Sequence, residues 1–272
     1  MKTRLTLILL AALFATLSCK AQDASLTFTV NGITFKMLPV AGGTFTMGAT
    51  SEQGSDAYDH EKPTHSVTLS SYYMGETEVT QALWQAVMGK SVTQIANENG
   101  WNTYGVGDNY PMYDVSWNDC QTFINKLNQL LAGQLGGKQF ALPTEAQWEY
   151  AARGGRKSRG YKYSGSNNLD NVAWYKSTTN DSRTRPVGTK TPNELGLYDM
   201  SGNVWEWCSD WYSSYGSSAQ TDPTGPSSTS GSCRVRRGGS WVNHARECRV
   251  SSRGISTPGS SDFILGLRLS LR

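Results

Sequence analysis

NELGLYDMSGNVWEWCSDWY, residues Asn193 to Tyr212, places three tryptophans and a cysteine directly after a Ser-Gly-Asn turn. It sits in a long C-terminal stretch, from Gly155 to Arg272, dense in Gly, Ser, Asn, Thr and Pro, where the apolar points (Trp174, Val187, Leu197, Val235 and Ile264) are brief. Such a pattern predicts long ordered loops joined by short strands. Whole-chain composition agrees: 28 glycines, 9 tryptophans and 13 tyrosines against only 17% charged residues describe turn-rich structure pinned by aromatic side chains, not disorder. The Ser/Gly/Thr-rich run Ser213 to Ser232 reads as a flexible surface loop, because too little chain follows it to form an independent core.

Working back toward the N-terminus, the spacing becomes regular. Leu26 to Met47 alternates apolar and polar positions around Asn31-Gly32 and Gly42-Gly43, which predicts two or three short strands. HSVTLSSYYMGETEVT (65–80) alternates again. Val79, Leu83, Trp84 and Val87 then take up helical spacing through Met88, with Thr77 or Thr80 as cap. A second amphipathic helix runs through Trp117, Cys120, Phe123, Ile124, Leu127 and Leu131, started by Ser116 or Asn118. LPTEAQWEYAARGG (142–155) predicts a third, with Thr144 and Gln147 as a capping box and Gly154-Gly155 as its stop.

The 272 residues suffice for one large domain. With 25 Lys+Arg against 22 Asp+Glu and no basic block, nucleic acid is not expected as a partner. Residues 1–21, MKTRLTLILLAALFATLSCKA, carry early cations, an apolar run and small residues, the pattern of a secretory signal. Two exits compete: lipidation at Cys19, giving a membrane-anchored lipoprotein of the periplasm, outer membrane or cell surface, or cleavage after Ala21. Cys120, Cys208, Cys233 and Cys248 then remain, an even number in an exported chain, and two disulfides are the expectation with three pairings open.

LPTEAQWEYAARGG, NELGLYDMSGNVWEWCSDWY and RVRRGGSW (234–241), followed by CRVSSRG (248–254) and ILGLRLSL (264–271), occur in the order found in the sulfatase-modifying-factor family. GGTFTMG (42–48), PTHSVTLSSYYMGETEVT (63–80) and VSWNDC (115–120) extend the match, and the chain resembles that family across residues 26–272. The resemblance implies one α+β domain with the C-type-lectin-like fold of the formylglycine-generating enzymes, low in regular secondary structure.

Those enzymes oxidise a sulfatase cysteine to formylglycine with O2 and a copper(I) ion held by two cysteine thiolates, a soft pair suited to that metal. Counted from Gly238-Gly239-Ser240-Trp241, the first thiolate position falls on Asn243 and the second on Cys248. Counted back from Arg249 and Arg253, Cys248 matches no catalytic cysteine. Either way the pair is incomplete. The resemblance also places Ser240, His244 and Trp205 along a peptide cleft, against the plainer alternative that they are packing or exposed loop residues. It assigns Asp199, Gly202, Val204 and Glu206 to a structural calcium loop, two carboxylates and two backbone carbonyls forming a hard-oxygen set; the alternative is that the carboxylates satisfy turn amides. It further brings Cys208 and Cys248 together, with Cys233 as a rival partner for a bridge. The expected function is an exported protein- or peptide-binding or assembly module without the copper centre. The alternative is a formylglycine-generating oxidase using Cys248 and Cys233.

Overall fold

The computed structural model describes residues 24–180, 182–227 and 232–272. The expected signal segment, with Cys19 and Ala21, lies outside the described residues.

Three strands open the chain, as the alternation predicts: β1 (Leu26–Val30), β2 (Ile33–Val40) and β3 (Gly43–Met47). The β1–β2 turn is Asn31-Gly32, with both φ angles positive (48° and 83°), the requirement of a two-residue turn that matches strand twist. β4 (His65–Leu69) pairs with β3, and β5 (Tyr72–Gly75) with β2, both antiparallel. α1 (Gln81–Met88) starts at Thr80, whose hydroxyl accepts from the Leu83 amide at 3.2 Å. α2 (Val92–Asn99) has no counterpart in the apolar spacing, since it buries only Val92 and Ala96 and is set by a Ser91/Gln94 capping box. α3 (Trp117–Leu130) follows a Ser116/Asp119 capping box and stacks Phe123 on Trp84 of α1, ring centroids 5.0 Å apart.

After the two-residue β6 (Phe140–Ala141), α4 (Glu145–Ala152) begins with the reciprocal Thr144/Gln147 box. Every residue of α4 is buried, so the helix runs through the middle of the molecule. The short α5 (Lys176–Thr179) precedes β7 (Trp205–Trp211), β8 (Gln220–Thr221), β9 (Arg234–Arg237), β10 (Arg253–Ser256), β11 (Leu265–Gly266) and β12 (Ser270–Leu271). These make sheets in the orders β1-β2-β5-β12-β6, β10-β9-β7-β11 and β3-β4-β8. β8 lies inside the run expected to be a flexible loop; there Asp222 accepts from the Ser70 amide and hydroxyl at 2.8 and 2.7 Å, tying the chain onto β4. Among the described residues no helix is long and apolar enough to cross a membrane.

Apolar side chains gather in three clusters: one between the five-stranded sheet, α1 and α3; one around Trp148 of α4; and a small one at Tyr163, Leu169, Val172 and Ala173. Cys120, Cys208 and Cys248 fall one into each, while Cys233 is half-buried outside them. The expectation of two disulfides is therefore corrected. All four cysteines are unbridged, and Cys208 and Cys248, proposed partners by resemblance, pack into separate cores.

Four arginines cross the interior, each paired with a glutamate: Arg237 with Glu149, Arg249 with Glu61, Arg253 with Glu145 and Arg268 with Glu206. All four carboxylates come from distant segments, which cross-links the loops at charge pairs that would be costly to break singly.

Candidate functional site

The calcium-like turn sits where α1's approach, β7 and β11 meet. Asp199, Gly202 and Asn203 all take positive φ, and a side chain at Gly202 would collide with the Trp174 carbonyl, 2.3 Å from where its Cβ would stand. The Asp199 Oδ2 accepts from the Gly188 amide at 2.7 Å, as the turn-amide alternative expects, while its Oδ1 is buried with no partner. Glu206 accepts Trp148 Nε1 at 2.6 Å on one oxygen and the Arg268 guanidinium at 2.7 to 3.0 Å across both. A third carboxylate joins them. Glu78, fully buried, accepts from Asn203 Nδ2 at 2.7 Å and from the Val204 amide at 3.1 Å.

Three carboxylates face one guanidinium here, and the imbalance shows in their protonation. Burial, then the charges of Asp199 and Glu206, holds the Glu78 carboxyl far above the usual carboxylate range, and burial pushes Asp199 up to about 6. The orphaned Asp199 oxygen and the surplus negative charge fit a hard cation. Glu206 fits less well, because its lone pairs are already taken by Arg268 and Trp148. Among the described residues no three His, Cys, Asp or Glu side chains converge as ligands without help from backbone carbonyls.

The cleft residues adjoin this turn through β7. Trp205 Nε1 donates to Asn243 Oδ1 at 2.9 Å, and Ser240 Oγ donates to the same oxygen at 2.6 Å. Asn243 thus stands at the expected first-thiolate position with its carbonyl oxygen already doubly bonded. His244 is exposed at the start of the turn Ala245–Cys248 and makes no side-chain cap there, as the plainer reading expects of it. Tyr104, Trp241 and Phe263 form an aromatic wall beside these groups, with centroids 4.6 to 5.8 Å apart.

Cys248 is brought near Ser240 but not as a ligand. Its Sγ packs under Gly239, 2.8 Å from where a Cβ would stand, within the small third core. Burial, then the charge of Glu247, pushes this thiol well above its ordinary value, so it stays protonated and unreactive. Cys233 sits beyond the far end of β9, and the four residues Arg234–Arg237 alone span roughly 13 Å. These residues do not fit a two-thiolate copper(I) centre.

Among the described residues, clefts lie elsewhere. One of about 520 Å³ runs between β2 and the Gly75–Thr80 segment, and no histidine, serine or cysteine lines it. Another, about 310 Å³, is bounded by His65, Glu145, Asp210, Tyr215 and Arg253. A third, about 250 Å³, lies between Ser70, Thr144 and Asp222. Sequence reading did not single out Glu78, Arg268 or Arg236. Each lies inside a stretch that carries the family resemblance, 63–80, 234–241 and 264–271, yet becomes notable only through what the fold packs against it.

Comparison with known proteins places this fold in a family. The sulfatase-modifying factor enzyme 1-like domain matches residues 27–272, and the chain belongs to that family. It is 34% identical to a formylglycine-generating enzyme of Streptomyces coelicolor over 84% of this chain and 86% of the relative. It is 35% identical to a chaperone protein, LppX, of Paenibacillus barcinonensis over 72% of this chain and 76% of the relative. Treponema denticola variable protein 1 superposes with a TM-score of 0.78 at 36% identity, covering 91% of this chain and 99% of that one. PvdO from Pseudomonas aeruginosa shares the fold, with a TM-score of 0.68 at 22% identity over 93% of this chain and 100% of that one. The α+β, C-type-lectin-like architecture with long ordered loops is therefore the one the resemblance implied.

Proposed function

We propose that this domain is an exported protein- or peptide-binding or assembly module that keeps the cleft at Trp205, Ser240 and His244 and has lost the copper centre. One observation carries the reading: Asn243 occupies the first-thiolate position and its carbonyl oxygen accepts from both Ser240 and Trp205, which leaves a polar but redox-inert groove floor. The relative named as a chaperone protein supports binding of a protein chain without its oxidation. The signal-like N-terminus supports delivery to the cell envelope, with lipidation at Cys19 as the anchor. A structural Ca²⁺ at Asp199, Glu206 and the Gly202 and Val204 carbonyls belongs to the proposal, supported by the orphaned Asp199 oxygen.

The oxidase alternative draws on the relatives named formylglycine-generating enzyme. Copper(I) titration against a chromophoric chelator, followed by incubation of the loaded protein with a sulfatase-derived cysteine peptide in air, separates the two. The module reading expects no tight copper(I) binding and no aldehyde. Stoichiometric binding with formylglycine in the peptide mass spectrum would overturn it.

A further inference from the structure

We propose that Arg236 is the specificity element of this groove: its guanidinium, stacked on Trp205, takes a carboxylate of the bound peptide, so the recognised segment carries an acidic residue. The inference rests on the groove reading above and names the partner's chemistry.

Arg236 lies on β9 opposite Gly254 of β10. Its guanidinium carbon is 4.8 Å from the Trp205 ring centroid, a cation–π distance. Gly254 makes room for it, since a Cβ there would stand 2.8 Å from Arg236 Nε, 2.9 Å from its Cγ and 3.3 Å from Trp205 Cζ3. The side chain is thus fixed between an indole and a bare stretch of backbone. Trp205 then links the charge to the groove floor, because the same indole donates its N–H to Asn243.

What is missing is an acid. Arg237, Arg249, Arg253 and Arg268 each pair with a glutamate, and Arg234 is sandwiched between Trp117 and Trp211 at 3.9 and 3.6 Å while donating to the Ser209 carbonyl at 2.6 Å. Arg236 has one ring face, an enclosed Nε with no partner and, among the described residues, no carboxylate within ion-pair distance; Asp262 acts on it only from farther away. Only Nε is sealed without a partner; the two Nη groups, which donate to no described residue, remain open to an oxyanion. A single fork matches one carboxylate bidentately. A phosphate dianion is ordinarily met by several arginines, and Arg234, which shares the face of β9, is already engaged by Trp117, Trp211 and the Ser209 carbonyl.

The test is selection of a random nonapeptide library on the full chain, followed by affinity measurement on synthetic peptides. For each enriched sequence the acidic residue is compared with its amide and with phosphoserine, and a free C-terminus with an amidated one. The expected result is enrichment of Asp or Glu at one position, with affinity falling at least tenfold on the acid-to-amide change. Arg236→Leu should abolish that discrimination while Arg236→Lys keeps part of it; the peptide comparisons on the wild-type chain hold even where a variant fails to fold. Dependence on the free C-terminus alone would assign the carboxylate to the chain end. Equal binding of acid and amide, or tighter binding of phosphoserine, would overturn the proposal and leave the groove intact. Selection unaffected by Trp205→Ala would overturn the groove reading as well.

Discussion

Replacing Asp210 by asparagine changes a single group between β7 and α4 and should stabilise the protein at neutral and alkaline pH while leaving it almost unchanged in acid. Asp210 is buried, its Oδ2 accepting from the Glu145 amide at 3.0 Å and from Ser209 Oγ at 2.9 Å, bonds an asparagine carbonyl can also accept. Burial, then the charge of Glu145, pushes this carboxyl from 3.8 up to about 7. The sign follows from linkage: the native state holds a proton that the unfolded chain releases near 3.8, so stability is greatest below that pH, declines as pH rises to about 7, and is flat above it. A difference of about 3 units at ~1.4 kcal/mol each sets a ceiling of ~4 kcal/mol. For a domain of this size that is a rise in Tm of up to about 8–16 °C above pH 7. Thermal unfolding of both proteins in half-unit steps from pH 4 to pH 9 reads it directly. A Tm difference that does not change across that range would refute the reasoning, since it would mean that Arg253, whose charge opposes the shift, keeps Asp210 ionised throughout.

Other expectations follow from the same interior. Arg268→Met strands the Glu206 carboxylate beside Glu78 and Asp199 and should cost ~3–5 kcal/mol, about 6–20 °C in Tm, with Glu206→Gln in the same chain recovering part of it; additive losses in the double variant would count against the pairing. Timed alkylation with peptide mapping should modify Cys233 in the native protein and Cys120, Cys208 and Cys248 only after unfolding, whereas any cystine peptide would contradict the separation of the cores. Dialysis against a calcium chelator should lower Tm, millimolar Ca²⁺ should restore it, and Asp199→Ala should abolish the response; an unchanged Tm in all three removes calcium from the proposal.

The parts of the fold visible in the sequence are those that local rules govern. Ser116 and Thr144 announce α3 and α4 because capping is a matter of three residues, and Asn31-Gly32 announces its hairpin because few pairs tolerate two positive φ angles. α2 escaped because it buries too little of one face to leave a period in the chain. The cysteines misled for a related reason. An even number in an exported chain argues for bridges only if the fold brings thiols within reach, and no spacing rule discloses that three of them enter different cores. At the candidate site, motif order singled out Trp205, Ser240 and His244, of which the fold brings Trp205 and Ser240 onto one Asn243 oxygen. Glu78 and Arg268 were not, being separated by 190 residues and meeting only across Glu206 and Asp199.

The loss of a thiolate at Asn243 is tolerable because the fold does not depend on that position. The loops around the groove are held from beneath, by Arg237 on Glu149, Arg249 on Glu61 and Arg268 on Glu206, and by Asn203, whose side chain joins Glu78 to the Arg185 backbone at 2.7 to 3.2 Å. Asn243 contributes only to the upper surface, bonding Ser240 and Trp205, and its replacement leaves every interior charge pair in place. Asn243 is half-buried and accepts from two buried donors, Trp205 Nε1 and Ser240 Oγ, so removing its side chain should cost about 1–3 kcal/mol while the buried arginine pairs still hold the loops. Under the proposed reading, the asparagine floor and the arginine at the wall would hold a peptide where a redox pair would oxidise one.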